Sequence, residues 1–112
     1  MGLPTCRFRR SQRLTRKSEF AAMYEHGSRC TVGPSLIHVL QNQRGYSRLG
    51  LSVLSRVGNA VQRNIIKRRC REAFRLSQHE LPTGIDILLT VRPHELQTTN
   101  QYRVHLLEGV GK

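Results

Sequence analysis

Between Val57 and Arg75 the chain reads VGNAVQRNIIKRRCREAFR, and this stretch holds the side chains best suited to chemistry. A helix turns about 100° per residue, which gathers Asn64, Lys67, Arg68, Arg71 and Arg75 into one arc of about 100° while Ile65, Ile66, Ala73 and Leu76 fall on another. Side chains at i, i+4 and i+8 stand about 6 Å apart per turn, a spacing that can follow successive phosphates. Asn64 adds an amide able to read a base edge or a ribose hydroxyl. A solvated helix laced with ion pairs would need acidic partners, and the stretch offers only Glu72. A DNA recognition helix would need a helix-turn-helix partner ahead of it, where the pattern reads as a strand.

Other chemistries find little material. Asp86 is the only Asp and the six Glu are scattered singly, so the paired carboxylates that hold catalytic divalent ions are missing. The five His (26, 38, 79, 94, 105) include no close sequence pair to serve as acid and base. Cys6, Cys30 and Cys70 are odd in number and widely spaced, which argues against both a disulfide framework and a zinc site and suggests a reduced, intracellular setting. We therefore expect no catalytic and no metal-ligating side chains in this chain. The whole composition instead suits a polyanion: 19 Lys and Arg against 7 Asp and Glu give a formal charge of +12, with a sequence pI near 11.2. Arginine supplies all but Lys17, Lys67 and Lys112, and its planar fork grips phosphate oxygens in pairs and stacks on bases.

The elements that must position these residues follow from patterning. The 112 residues fit one RNA-binding domain, 1–112, opened by a basic arm at 1–14 that is free to flex and to order on RNA. Phe20, Met23 and Tyr24 predict a first helix from Thr15, stopped at Gly27. The run 35–41, SLIHVLQ, alternates Leu36, His38 and Leu40 against Ile37 and Val39, and 48–55 alternates Leu49, Leu51 and Val53 against Gly50, Ser52 and Leu54. Turn chemistry between them predicts a hairpin. A further short strand at 28–34 is expected to be interrupted by Gly33-Pro34. Asn59 as N-cap with Gln62 three residues on predicts a helix over 60–76. The run 85–91, IDILLTV, predicts a largely buried strand, and Thr98 to Leu107 a last helix. The order helix, strands, helix, strand, helix defines an α+β class, a small α/β sandwich. No apolar run reaches membrane-spanning length, and MGLPTCRFRRSQ lacks the apolar block of a signal peptide, so no membrane partner and a cytoplasmic location are expected. The Arg-rich start could pass for an organelle transit peptide; a myristoylation reading of Met1-Gly2 fails, because position 6 is Cys.

The segment GNAVQRNIIKRRCREAF resembles the signature of the protein subunit of bacterial ribonuclease P. RLTRKSEF at 13–20, RLGLSVLSRVGNA at 48–60 and GIDILLTVRP at 84–93 resemble further segments of that family, in the same order. The resemblance implies a sandwich like the second domain of a ribosomal small-subunit protein, with a left-handed crossover around the signature helix where right-handed is the default. It implies that ribonuclease P RNA is the partner, contacted by Arg63, Asn64, Lys67, Arg68 and Arg71 with Arg56 upstream. It implies too that the 5′ leader of precursor tRNA lies between the first helix and the sheet, on Phe20, Tyr24, His38 and Ser52. Stacking on aromatic faces suits leaders of any sequence. Hydrolysis would belong to the RNA subunit with Mg²⁺, bound mainly by RNA, with one protein per RNA. Two positions depart from the family pattern: Ile65 stands where Arg is common, removing one phosphate contact, and His38 where an aromatic ring such as Tyr is usual. Two other readings compete: an autonomous nuclease, and a ribosomal-type scaffold that only folds RNA. An exposed Phe20/Tyr24 platform facing a concave sheet would favour leader capture, and a filled cleft the scaffold.

Overall fold

The computed structural model describes residues 10–111; Cys6, Lys112 and the first nine residues of the expected basic arm lie outside them. After a 3-10 turn at Arg10–Gln12 come α1 (Lys17–His26), β1 (Ser28–Val32), β2 (Ser35–Gln41) and β3 (Arg48–Val53). A second 3-10 turn at Ser55–Val57 leads into α2 (Ala60–Leu76), followed by β4 (Ile85–Val91) and α3 (Thr99–Val110). The ends of α2 and β4 fall where patterning puts them. The N-cap of α2 is the expected reciprocal pair: Asn59 Oδ1 accepts from the Gln62 N–H at 2.9 Å, and Gln62 Oε1 accepts from the Asn59 N–H at 3.0 Å. Thr98 and Gln101 repeat the device at α3, which runs three residues past the expected Leu107.

The short strand expected ahead of Gly33-Pro34 is β1, and this pair turns it into β2: Gly33 takes φ +57°, which few other residues tolerate, and Val32 faces Ser35 in an antiparallel ladder. One expectation about the strands needs correction: β2 and β3 are not paired as a hairpin. The sheet order is β1-β2-β4-β3, with β4 antiparallel to β2 and parallel to β3. All seven residues of β4 are buried, so it needs cover on both faces and a neighbour on both edges. A β2–β3 hairpin would have pushed it to an edge. The helix α2 is thus the crossover of a parallel β3–α2–β4 unit.

The sheet is covered on both sides. Ile37, Leu49, Ile87, Leu89 and Val91 meet Ile66, Cys70, Ala73 and Phe74 of α2 and Tyr102 and Leu106 of α3. The buried stripe of α2 is therefore centred on Ile66, Cys70, Ala73 and Phe74; Leu76, expected in it, is 43% exposed. On the other face Leu88 packs with Leu14 and Met23, flanked by Phe20 and Leu40. No helix among the described residues is long and apolar enough to cross a membrane.

Gly50 sets how closely α1 can approach β3. A Cβ there would come within 2.9 Å of Leu14 Cβ and 3.0 Å of Phe20 Cε1. Gly50→Val should therefore lift α1 and the Leu14 segment off the sheet, lowering stability by about 1–3 kcal/mol. Urea unfolding checks this, and an unchanged midpoint would show that the contact has room to give.

Candidate nucleic-acid interface

The exposed side of α2 carries Asn64 and Arg68, and Arg56 stands exposed in the turn that precedes it. Lys67 and Arg71 lean the other way, toward the segment entering α1. That segment runs along the free edge of β3, where Arg13 bridges Leu49 and the Leu14 N–H donates to the Leu49 carbonyl at 2.9 Å. Together Arg13, Lys67 and Arg71 rim a groove of about 250 Å³ whose floor is Leu14, Phe20, Leu49 and Leu51. Burial, and next to it the charge of Arg13, push the Arg71 pKa down. Like charges brought this close are relieved when a polyanion enters.

Two members of the predicted set are otherwise engaged. Arg63 is half-buried and donates to the Ser55 carbonyl at 3.3 Å, tying α2 to the turn that holds Arg56. Arg75 is clasped by Glu72, whose carboxyl it holds low mainly through that hydrogen bond, so much of its charge is spent within the helix. Ile65, at the departure from the family pattern, is half-buried.

The α1 face carries the second group. Phe20 lies over β3 against Gly50 and borders the Lys67–Arg71 groove. One turn later Tyr24 is 52% exposed, above β2, and meets the His38 ring edge-on at 5.1 Å and 83°. The two aromatics therefore stand over different strands. His38 itself is only 4% exposed, and burial, reinforced by the charge of Arg29, holds its pKa below the ordinary value. The expected leader position at His38 is corrected: its ring is buried and supports Tyr24 from beneath instead of offering a face to a base. Ser52 is half-buried in a row that crosses the sheet from Thr31 through Leu36 and Thr90. Thr90 in that row has a buried Oγ1 without a hydrogen-bond partner. Sequence reasoning passed over Thr90, although a lone hydroxyl inside IDILLTV was a signal available to it; Arg13 had none, since its place beside β3 is a tertiary fact.

Arg48 fixes α1 to this face. Its guanidinium donates to Asp86 Oδ1 and Oδ2 at 2.8 and 2.6 Å and to Glu19 Oε2 at 2.6 Å. Burial by itself would raise the Glu19 pKa, but hydrogen bonds from the Arg16 N–H and from Arg48 hold it below the usual range. Glu80 is ion-paired with Arg103. Among the described residues no group of three or more His, Cys, Asp or Glu is placed to hold a metal ion. Burial pushes the Cys70 thiol up to about 12, far from a nucleophile. His94 Nε2 is 2.6 Å from the Tyr102 hydroxyl, with Nδ1 2.7 Å from the Arg92 carbonyl, a structural tie between β4 and α3.

A mixed sheet whose crossover helix exposes cations without acidic partners among the described residues, while Glu19, Asp86, Glu72 and Glu80 are paired with arginines, has the character of a nucleic-acid-binding protein. The Ribonuclease P family model matches residues 8–110. The ribonuclease P protein component of Clostridioides difficile is 37% identical over 86 residues, covering 76% of this chain and 75% of the relative. That of Desulfatibacillum aliphaticivorans is 41% identical over 80 residues, covering 71% and 68%. In three dimensions the ribonuclease P protein of Thermotoga maritima superposes with a TM-score of 0.79 at 29% identity over 88% of this chain and 94% of that one. The Staphylococcus aureus protein gives 0.78 at 29% over 89% and 93%. The chain belongs to the ribonuclease P protein family, the protein subunits of the ribonucleoprotein endoribonuclease that matures tRNA 5′ ends.

The neutral His38 gives stability a pH dependence of definite sign. Its folded pKa lies below the ordinary 6.5, so on acidification the unfolded chain takes up the proton first. Its contribution is complete above about pH 6.5 and is lost as the pH falls through the folded value. His38→Phe keeps a ring under Tyr24 without that titration, so the melting temperature of the variant should gain on that of the parent between pH 7.5 and 5. A pH-independent difference would contradict the assignment.

Proposed function

We propose that this chain grips ribonuclease P RNA through Arg56, Arg63, Asn64, Lys67, Arg68 and Arg71 and holds the 5′ leader of precursor tRNA along the α1 face of the sheet. The observation that carries the leader site is the row Thr31–Leu36–Thr90–Ser52, which crosses the sheet beyond the apolar contacts of α1 and beside the exposed Tyr24. A nucleobase stacked on Tyr24 would meet the half-buried Leu36 and Ser52 beside it. A row left partly open at Thr31, Leu36 and Ser52 favours strand capture over the scaffold reading. Phe20 lies in the floor of the neighbouring groove, and His38 acts through Tyr24. Arg75 contributes less, because Glu72 already engages it.

Hydrolysis belongs to the RNA subunit in this reading. Glu19 and Asp86 are clamped by Arg48, Glu72 by Arg75 and Glu80 by Arg103, so these carboxylates do not fit a Mg²⁺ cage. Mg²⁺ is then held by RNA, and the protein supplies cations that screen phosphate repulsion between catalytic RNA and substrate. One protein per RNA and a cytoplasmic setting complete the proposal.

The two surfaces predict separable defects. Lys67→Ala should weaken binding to ribonuclease P RNA and flatten its salt dependence by about one unit per lost phosphate contact. Tyr24→Ala should leave that binding intact and reduce holoenzyme affinity only for precursors carrying a leader. Equal losses for leaderless tRNA would remove the leader site, and an unchanged salt slope for Lys67→Ala would remove the α2 contact.

A further inference from the structure

A second basic pocket adjoins the groove rimmed by Lys67 and Arg71. It measures about 330 Å³ and opens between the start of α1 and the β2–β3 loop. Arg13, Arg16 and Arg44 border it together with the hydroxyl side chains of Ser11, Thr15 and Tyr46. Its inner wall is the Arg48–Glu19 pair, in which charge is already balanced.

Two of the cations at its mouth, Arg16 and Arg44, are exposed and have no acidic partner among the described residues; the Arg44 guanidinium donates only to the Tyr46 hydroxyl, at 3.4 Å. The loop that carries Arg44 is nonetheless held firmly. Asn42 Oδ1 accepts from the Arg44 N–H at 2.7 Å, while Asn42 Nδ2 donates to the Tyr46 carbonyl at 3.2 Å and to Asp86 Oδ1 at 2.7 Å. Between them Gln43 sits at φ +58°, a left-handed conformation that is costly for a residue with a side chain and is kept here by the bonds on either side. The Arg16 backbone N–H is likewise fixed, donating to Glu19 Oε1 at 3.3 Å. Two guanidiniums carried on fixed backbone, flanked by hydroxyl groups and lacking carboxylates of their own, match the oxygens of a phosphate.

Position narrows the ligand. The pocket shares Arg13 and Thr15 with the groove rimmed by Lys67 and Arg71, so the two are contiguous around the free edge of β3. We propose that Arg16 and Arg44, with the Tyr46 hydroxyl, seat a backbone phosphate of the catalytic RNA, extending the α2 grip across the β3 edge. The assignment to that RNA rests on the ribonuclease P reading; the phosphate chemistry rests on the pocket.

The test uses the full chain and intact ribonuclease P RNA, with binding measured from 50 to 400 mM salt, roughly the range in which phosphate contacts dominate. The Arg16→Ala/Arg44→Ala protein should bind roughly three- to tenfold more weakly with a slope shallower by about one unit, and each single variant should show most of that loss, because both side chains serve one phosphate. Arg16→Gln/Arg44→Gln, which keeps flexible polar side chains but removes their charge, should behave the same. Combination with Lys67→Ala should add a further unit. A parental slope in both double variants overturns the proposal. A second arm assembles holoenzyme at saturating protein and measures precursor tRNA: unchanged affinity is expected, and a defect confined to this arm overturns the assignment to the catalytic RNA. Failure of the parent protein to bind that RNA at all would instead overturn the ribonuclease P reading, and this site's partner with it.

Discussion

The side chains of β4 are shut away from water on both faces, and that constraint organises the molecule. A strand buried on both faces has to lie inside a sheet and between two layers. Placing it between β2 and β3 separates those strands, makes β3 the free edge, and leaves α2 to cross from β3 to β4 over one face while α1 covers part of the other. The cations of α2 are thereby brought beside the segment that enters α1, so residues as far apart in the chain as Arg13 and Arg71 come to share one groove.

Charge is divided to match. Where cations are inside, they are paired: Arg48 is 11% exposed and bound to two carboxylates, which raise its pKa chiefly through the Asp86 hydrogen bonds. Lifting a buried charge out of water is costly unless it is compensated in this way. The compensation also holds α1 against the sheet, and with it the height of Tyr24 above β2. Along Arg56, Lys67 and Arg68 no such pairing occurs among the described residues, and Arg16 and Arg44 share that condition. A surface left with this much unpaired charge gains most from a polyanion, whose bound counterions are released on contact.

Much of this was legible in the residues. The Asn59–Gln62 box and the IDILLTV run mark α2 and β4 at their observed ends, because caps and continuous apolar runs are local signals. The basic arc of α2 followed from helical periodicity alone. The apolar face was shifted, since Cys70 and Phe74 were not weighed with Ile66 and Ala73. Strand order was not legible: a turn at 42–46 suits a hairpin and a crossover equally well, and only the two-sided burial of β4 decides between them. His38 was misjudged for a related reason. Its strand position was evident, but that Tyr24 would cover it and leave it neutral depends on how α1 crosses the sheet. The loop cations Arg16 and Arg44 carried no pattern at all, and acquire meaning only as neighbours across a pocket.

The measurement that bears most directly on this account is cleavage of precursor tRNA by bacterial ribonuclease P RNA at limiting Mg²⁺, with and without the protein. The account predicts that the protein restores 5′ maturation and cleaves nothing by itself, as expected of cations that screen RNA against RNA while RNA holds the metal. Tight RNA binding without restored cleavage would contradict the cofactor role, and cleavage by the protein alone would contradict the assignment of hydrolysis to RNA.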